Sequence, residues 1–104
     1  MTRAQEIAAT ILLQLGGSRF KTMTGSKNFV ATGQSLRMSL AKNKSGANYL
    51  EVHLNAWDTY TMHFYWAGMT KDGVRFVTKA QEDMVYEDQL QAIFTKVTGL
   101  YTHL

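Results

Sequence analysis

Residues 59–69 read TYTMHFYWAGM (Thr59 to Met69), the densest aromatic run in the chain. The run alternates. In an extended backbone Tyr60, Met62, Phe64 and Trp66 point to one side, and Thr59, Thr61, His63 and Tyr65 to the other. This is the pattern of an interior strand of an antiparallel sheet with its first set in the core.

The neighbouring stretches repeat that period. Upstream, Leu50, Val52 and Leu54 alternate with Tyr49, Glu51, His53 and Asn55, and NAWDT forms the turn into the central strand. Further upstream, Leu36, Met38 and Leu40 alternate with Arg37 and Ser39, followed by the turn NKSGAN. Downstream, Asp72-Gly73 is a hairpin signal. It leads to Val74 and Phe76 on the core face, with Arg75, Val77 and Lys79 on the other.

Parity sets the register. Leu40 falls opposite Leu50, Leu54 opposite Tyr60 and Glu51 opposite His63, with His53 diagonal to His63. In the last hairpin a tight turn would set core residues against surface residues, because a slip of one residue turns every side chain over. Either the loop is longer or the strand carries a bulge, and Gly68 is the position for that bulge.

Two helices flank the strands. Thr2 and Gln5 have the spacing of a capping box, and Ala4, Ile7, Ala8, Ile11, Leu12 and Leu15 form one helical stripe that ends at Gly16-Gly17. The second helix runs from about Asp83 to Thr98 on the stripe Tyr86, Leu90, Ile93, Phe94 and Val97. Acids lie in its first turns, and Gly99 is its cap. Leu100 and Tyr101 are expected to pack back onto the core and His103 to be solvated; Trp57 is expected on the core edge, or, if exposed, is a candidate anchor.

Between the first helix and the first strand lies SRFKTMTGSKNFVATG, residues 18–33. It is neither periodic nor wholly polar. Phe20, Met23, Phe29 and Val30 face inward, and Asn28 to Thr32 is a candidate short strand. The expected fold is α+β in two layers and one domain, residues 1–104. Its order is a helix, a basic connection, a four-stranded antiparallel meander and a helix, with both helices on one face of the sheet.

Composition narrows the function. The 104 residues are 45% hydrophobic and 12% aromatic, as expected of a folded domain. Without cysteine there is no disulfide, thiolate metal site or thiol nucleophile, which suits a reducing, cytoplasmic setting in a host cell. The apolar run AATILL is too short for a membrane span or signal peptide, so no membrane partner is expected. The net charge of +3 is unevenly spread. No acid occurs from Ile7 to Leu50, a stretch that holds Arg19, Lys21, Lys27, Arg37, Lys42 and Lys44. The acids Glu82, Asp83, Glu87 and Asp88 come later.

No catalytic residues are expected. Gly25-Ser26-Lys27 lacks the spacing of a phosphate loop, no nucleophile elbow is present, and Asp58 and Asp72 read as turn residues. No cofactor or metal is expected. A small metal-dependent enzyme using Glu51, His53 and His63 is a lesser alternative, since a carboxylate beside two imidazoles could hold an ion. The same three residues also suit a cross-strand polar cluster that steadies the hairpin.

The sheet face away from the helices is the larger feature. It is expected to display Arg37, Tyr49, His53, His63, Tyr65, Arg75 and Lys79, next to Arg19, Lys21 and Lys27 of the basic connection. Aromatics and cations on an open sheet suit either a protein partner or single-stranded nucleic acid. The order of elements also approaches that of a double-stranded-RNA-binding domain. That module has lysines at the start of its second helix, where this chain has Glu82, Asp83, Glu87 and Asp88.

Three stretches, ILLQLGGSRFKTMTGSKNFV, NYLEVHLNAWDTY and FTKVTGLYTHL, together resemble small proteins of bacteriophages and integrated mobile elements. The shared features are an LGG…F…MTG-K-NF signature and a GLYT ending. The resemblance implies a setting and brings no catalytic residues. By analogy it suggests a stoichiometric binder that blocks a host protein or nucleoprotein complex, in the manner of anti-CRISPR inhibitors. Direct nucleic-acid binding is the alternative, and a homodimer is left open.

Overall fold

A computed structural model of the chain describes residues 2–102, so His103 lies outside the described residues. Helix α1 is Arg3–Leu15. Its start is the expected reciprocal cap: the Gln5 amide donates to Thr2 Oγ1 at 3.2 Å, and the Thr2 amide donates to Gln5 Oε1 at 3.0 Å. Ile7, Ala8, Ile11 and Leu15 form its buried stripe.

Gly16-Gly17 turns a corner instead of ending helical structure. Gly16 has φ +125, open to glycine at little cost, and helix α2, Gly17–Thr24, begins at once. The expected basic connection is thus a second helix followed by the first strand. Its anchor is Phe20, fully buried and edge-on to Phe94 at 4.9 Å. An eight-residue helix held by one large buried ring has no stripe to betray it in the sequence.

Gly25 then caps α2 in the left-handed conformation, and strand β1 follows as Lys27–Thr32. The remaining strands are β2 Ser35–Ser39, β3 Tyr49–Leu54, β4 Tyr60–Thr70 and β5 Gly73–Val85. They form an antiparallel meander in the order β1-β2-β3-β4-β5. The four-stranded expectation is corrected to five, because the candidate stretch at Asn28–Thr32 does pair with β2.

The register holds in part. Leu54 pairs with Tyr60 and Glu51 with His63, as alternation requires. Leu50 pairs with Met38 and not with Leu40, a shift of two residues. An even shift keeps every side chain on its face, so the core survives it. The connection is longer than a tight turn because Asn43 organises it: its Nδ2 donates to Ala41 O at 2.8 Å and to Ala47 O at 2.9 Å.

The bulge expected at Gly68 lies elsewhere. The β4–β5 ladder runs in step from Thr70–Gly73 to Tyr65–Thr78, then resumes at Phe64–Ala80, which leaves Lys79 as the extra residue. A second irregularity lies between Met62–Glu82 and Tyr60–Val85, where Met84 adopts φ 55. Gly68 stays in the ladder opposite Arg75.

Strand β5 also overruns the expected helix start. Glu82 and Asp83 lie in the strand, a 3-10 turn spans Glu87–Gln89, and helix α3 is Leu90–Thr98. Tyr86 is exposed and not part of the helical stripe. Gly99 caps α3 as its position suggests, its amide bonding Thr95 O at 2.8 Å. Leu100 packs on the core, whereas Tyr101 is exposed.

One core cluster joins all these parts. It holds Ile7, Ile11 and Leu15 of α1, Phe20 of α2, and Leu90 and Phe94 of α3. These meet Leu36, Met38, Leu50, Val52, Met62 and Phe64 from one face of β2, β3 and β4. Among the described residues the other face carries no helix. No helix among the described residues is long and apolar enough to cross a membrane.

Candidate functional site

The helix-free face is built in rows, because antiparallel pairing sets one residue per strand side by side. One row is Arg37, Glu51, His63 and Gln81, and the next is Ser39, Tyr49, Tyr65 and Thr78. Beyond the end of β3 come the pairs Ala67–Phe76 and Met69–Val74. In the opposite direction Ser35, His53 and Thr61 form a polar row.

Five of the expected residues therefore share this face: Arg37, Tyr49, His53, His63 and Tyr65. Two do not. Arg75 and Lys79 were expected there and Val74 and Phe76 in the core. With Thr78 facing Tyr65, alternation instead sends Phe76 and Val74 to the open face and Arg75 to the helix side. Lys79, the bulge residue, lies against Gly46 of the β2–β3 connection.

The basic connection is divided as well. Arg19 and Lys21 are on α2, with the Lys21 ammonium over the Phe29 ring at 5.2 Å. Lys27 starts β1 opposite Ser39.

The expected cluster of Glu51, His53 and His63 is split by its hydrogen bonds. His53 Nδ1 meets Ser35 Oγ at 2.7 Å, toward β2, while His63 Nε2 meets Thr78 Oγ1 at 2.8 Å, toward β5. No three His, Cys, Asp or Glu side chains come together as a metal set among the described residues. Ser35 beside an imidazole has the look of a nucleophile with its base, but it is only 3% exposed and gives a substrate no access.

The polar end is closed by its own bonds. Asn55 Nδ2 donates to Thr61 Oγ1 at 3.2 Å, Thr61 Oγ1 donates to Asp83 Oδ1 at 3.1 Å, and Gln81 Nε2 donates to the same oxygen at 3.4 Å.

The other end is aromatic. The Tyr49 and Tyr65 rings stack at 5.5 Å and 15°, His63 sits 5.0 Å from Tyr65, and Phe76 lies 6.2 Å from it. Burial pushes the Tyr65 phenol above its ordinary range; the nearby Arg37 guanidinium pulls the other way and Glu51 adds to the rise.

Strand β3 stops where Asn48 closes it. Asn48 Nδ2 donates to Ala67 O at 2.8 Å, and the Ala67 amide donates to Asn48 Oδ1 at 2.8 Å. Past that point β4 and β5 continue alone as a two-stranded arm. One side of the arm is covered by Trp66, whose indole lies over Gly68. The other side is bare: Met69 is 76% exposed, Val74 62% and Phe76 68%.

Arg37, Tyr49, Tyr65, Met69, Val74 and Phe76 line a shallow cleft of about 330 Å³ at the root of this arm. A larger cleft of about 590 Å³ lies between the end of α1 and α3. Three of its polar residues, Gln14, Glu87 and Gln91, are engaged in hydrogen bonds. Tyr60 donates to Gln14 Oε1 at 2.6 Å, Gln14 Nε2 donates to Glu87 Oε2 at 3.0 Å, and Gln91 Nε2 donates to Gln14 O at 3.2 Å. The open sheet face is the better candidate, because Met69, Val74 and Phe76 are exposed there beside the half-buried Arg37. Trp57, expected on the core edge, is instead 81% exposed in the turn between β3 and β4.

Sequence reasoning missed Phe76, Val74 and Met69 as surface residues. A signal was present: the parity conflict at the Asp72-Gly73 hairpin shows that one strand must change step. Placing the extra residue on β5 instead of β4 would have found them. No protein-family model, curated protein or solved structure matches the chain.

Proposed function

We propose that this chain is a non-enzymatic binding protein that covers and blocks a surface of a host protein or nucleoprotein complex. The observation that carries this reading is the bare side of the β4–β5 arm. Three large apolar side chains, Met69, Val74 and Phe76, stand in water next to a stacked tyrosine pair and Arg37. A contiguous exposed apolar patch of this kind marks an interaction surface, and aromatic residues with arginine are what such surfaces are rich in.

The hydroxyls and imidazoles nearby support a structural role. They are spent on pairwise bonds across the sheet, Ser35 with His53 and Thr78 with His63. The likeness of the LGG…F…MTG-K-NF and GLYT stretches to phage and mobile-element proteins supports a bacterial host and an anti-defence role of the anti-CRISPR type, acting in the host cytoplasm.

The test is affinity capture from bacterial lysate with the wild-type chain and with Val74→Ser/Phe76→Ser. A photo-crosslinking residue at position 69 identifies what touches the arm. A defined host component captured and cross-linked by the wild type, and lost with the double variant, is the expected result. Identical capture by both proteins would remove the arm from the binding surface.

A further inference from the structure

We propose that the cleft at the root of the β4–β5 arm holds single-stranded nucleic acid, with a base against Phe76 and a phosphate at Arg37. The proposal rests on the open face being the binding surface and names the chemistry that face meets.

The first support is the geometry of the rings. Phe76 offers a mostly exposed ring; the buried Tyr65 ring backs it at 6.2 Å, tilted by 53°, and the half-buried Tyr49 stacks on Tyr65 at 5.5 Å. An exposed ring on a sheet lets a base stack without regard to sequence, since every base has a flat apolar face.

The second support is charge. Arg37 lines the cleft and no carboxylate does. Lys27, which pairs with Ser39 on the far side of β2, extends the positive side toward the sheet edge. Glu51 is the cross-strand neighbour of Arg37 but stands outside the cleft lining. Asp83 is tied to Thr61 and Gln81 at the opposite end of the face. A guanidinium beside the exposed Phe76 ring, with no acid in the lining, calls for an anion attached to a flat apolar group. A nucleotide is that combination, and a second copy of this chain, with its charge of +3, is not.

The third support is what the cations do not form. Arg19 and Lys21 lie on α2, Arg75 on the helix side of the arm, and Lys79 against Gly46. They draw no continuous stripe for the two backbones of a duplex, whose base faces would in any case be hidden from Phe76.

The experiment is fluorescence anisotropy of labelled oligothymidylate and oligouridylate, each about 20 nucleotides long, with the purified chain. Binding in the micromolar range is expected at low salt. With about two phosphates engaged, it weakens about sevenfold between roughly 50 and 200 mM salt. Phe76→Ala lowers affinity about tenfold or more, as loss of one stacked base does. Arg37→Gln flattens the salt dependence, and Lys79→Gln, on the other side of the sheet, binds like the wild type.

Three results would overturn the proposal: no anisotropy change with either oligonucleotide, equal affinity for a duplex of the same length, or wild-type binding by Phe76→Ala and Arg37→Gln together. Thermal melts of each variant show that the comparison is made between folded proteins. If oligonucleotides do not bind while capture of a host component still depends on Phe76, this inference fails. The reading of the face as a protein-binding surface then stands.

Discussion

The indole of Trp66 lies over Gly68, so that a β-carbon added at position 68 would fall 2.5 Å from the ring. The glycine is there to make room within the strand, two residues along the same side, and not to bend it. One side of the arm is thereby covered by its own tryptophan, and the arm presents its other side to solvent.

Gly68→Ala should therefore displace Trp66. Overpacking of this kind costs about 1–3 kcal/mol unless the ring swings clear. With Trp57 replaced by Phe, the remaining tryptophan emission comes from Trp66 alone. It should shift to longer wavelength in Gly68→Ala, with a lower urea midpoint. An unchanged spectrum and midpoint would show that the indole is not held over Gly68.

Phe94 stands between Phe20, 4.9 Å away, and Phe64, 6.3 Å away, and ties α2 and β4 to α3. Phe94→Ala should cost about 3–5 kcal/mol by cavity formation. That is a large part of the stability of any small domain. Urea unfolding followed by circular dichroism measures it, and a loss below about 1 kcal/mol would contradict the packing described.

Phe76 behaves oppositely because it is mostly in water already. Phe76→Ser and Val74→Ser should each change stability by no more than about 0.5 kcal/mol. Self-association on concentration should be no greater than in the wild type, since an apolar patch has been removed. Sedimentation at increasing protein concentration, beside a urea titration, checks both halves. Strong destabilisation would mean that these side chains are buried.

Stability at alkaline pH depends on two buried phenols. Burial raises the Tyr60 and Tyr65 phenols above the ordinary value of 10.0. The folded state therefore holds these protons more tightly than the unfolded chain. Their contribution is fully present below pH 10.0 and is lost as pH rises through the higher folded values. A Tyr60→Phe/Tyr65→Phe variant should lose less stability than the wild type across that interval, read from urea midpoints at stepped pH. Parallel curves would show that neither phenol is linked to folding.

Much of this architecture can be read along the chain because its cause is local. Thr2 and Gln5 cap α1 within one turn, and Gly99 closes α3 with a bond to Thr95. The alternations Leu36–Met38, Leu50–Val52–Leu54 and Tyr60–Met62–Phe64 each state which way their own side chains point. Helix α2 and the late start of α3 are harder to read. Phe20 and Phe94 make sense only against each other, and Tyr86 becomes a strand-to-helix junction only because β5 follows β4 to its end. Half of the site follows the same division: Arg37, Tyr49, His53, His63 and Tyr65 inherit their face from strands that keep step.

The alternating stretches and the helix caps settled an antiparallel sheet with one greasy face covered by helices, since period and capping act over a few neighbouring residues. Folding in three dimensions assigned Val74 and Phe76 to the wet face, moved Arg75 and Lys79 off it, and left the arm projecting past Asn48. Those outcomes belong to the pairing of two strands. An extra residue at Lys79 changes the step of β5 relative to β4, and neither strand read alone says where that residue goes.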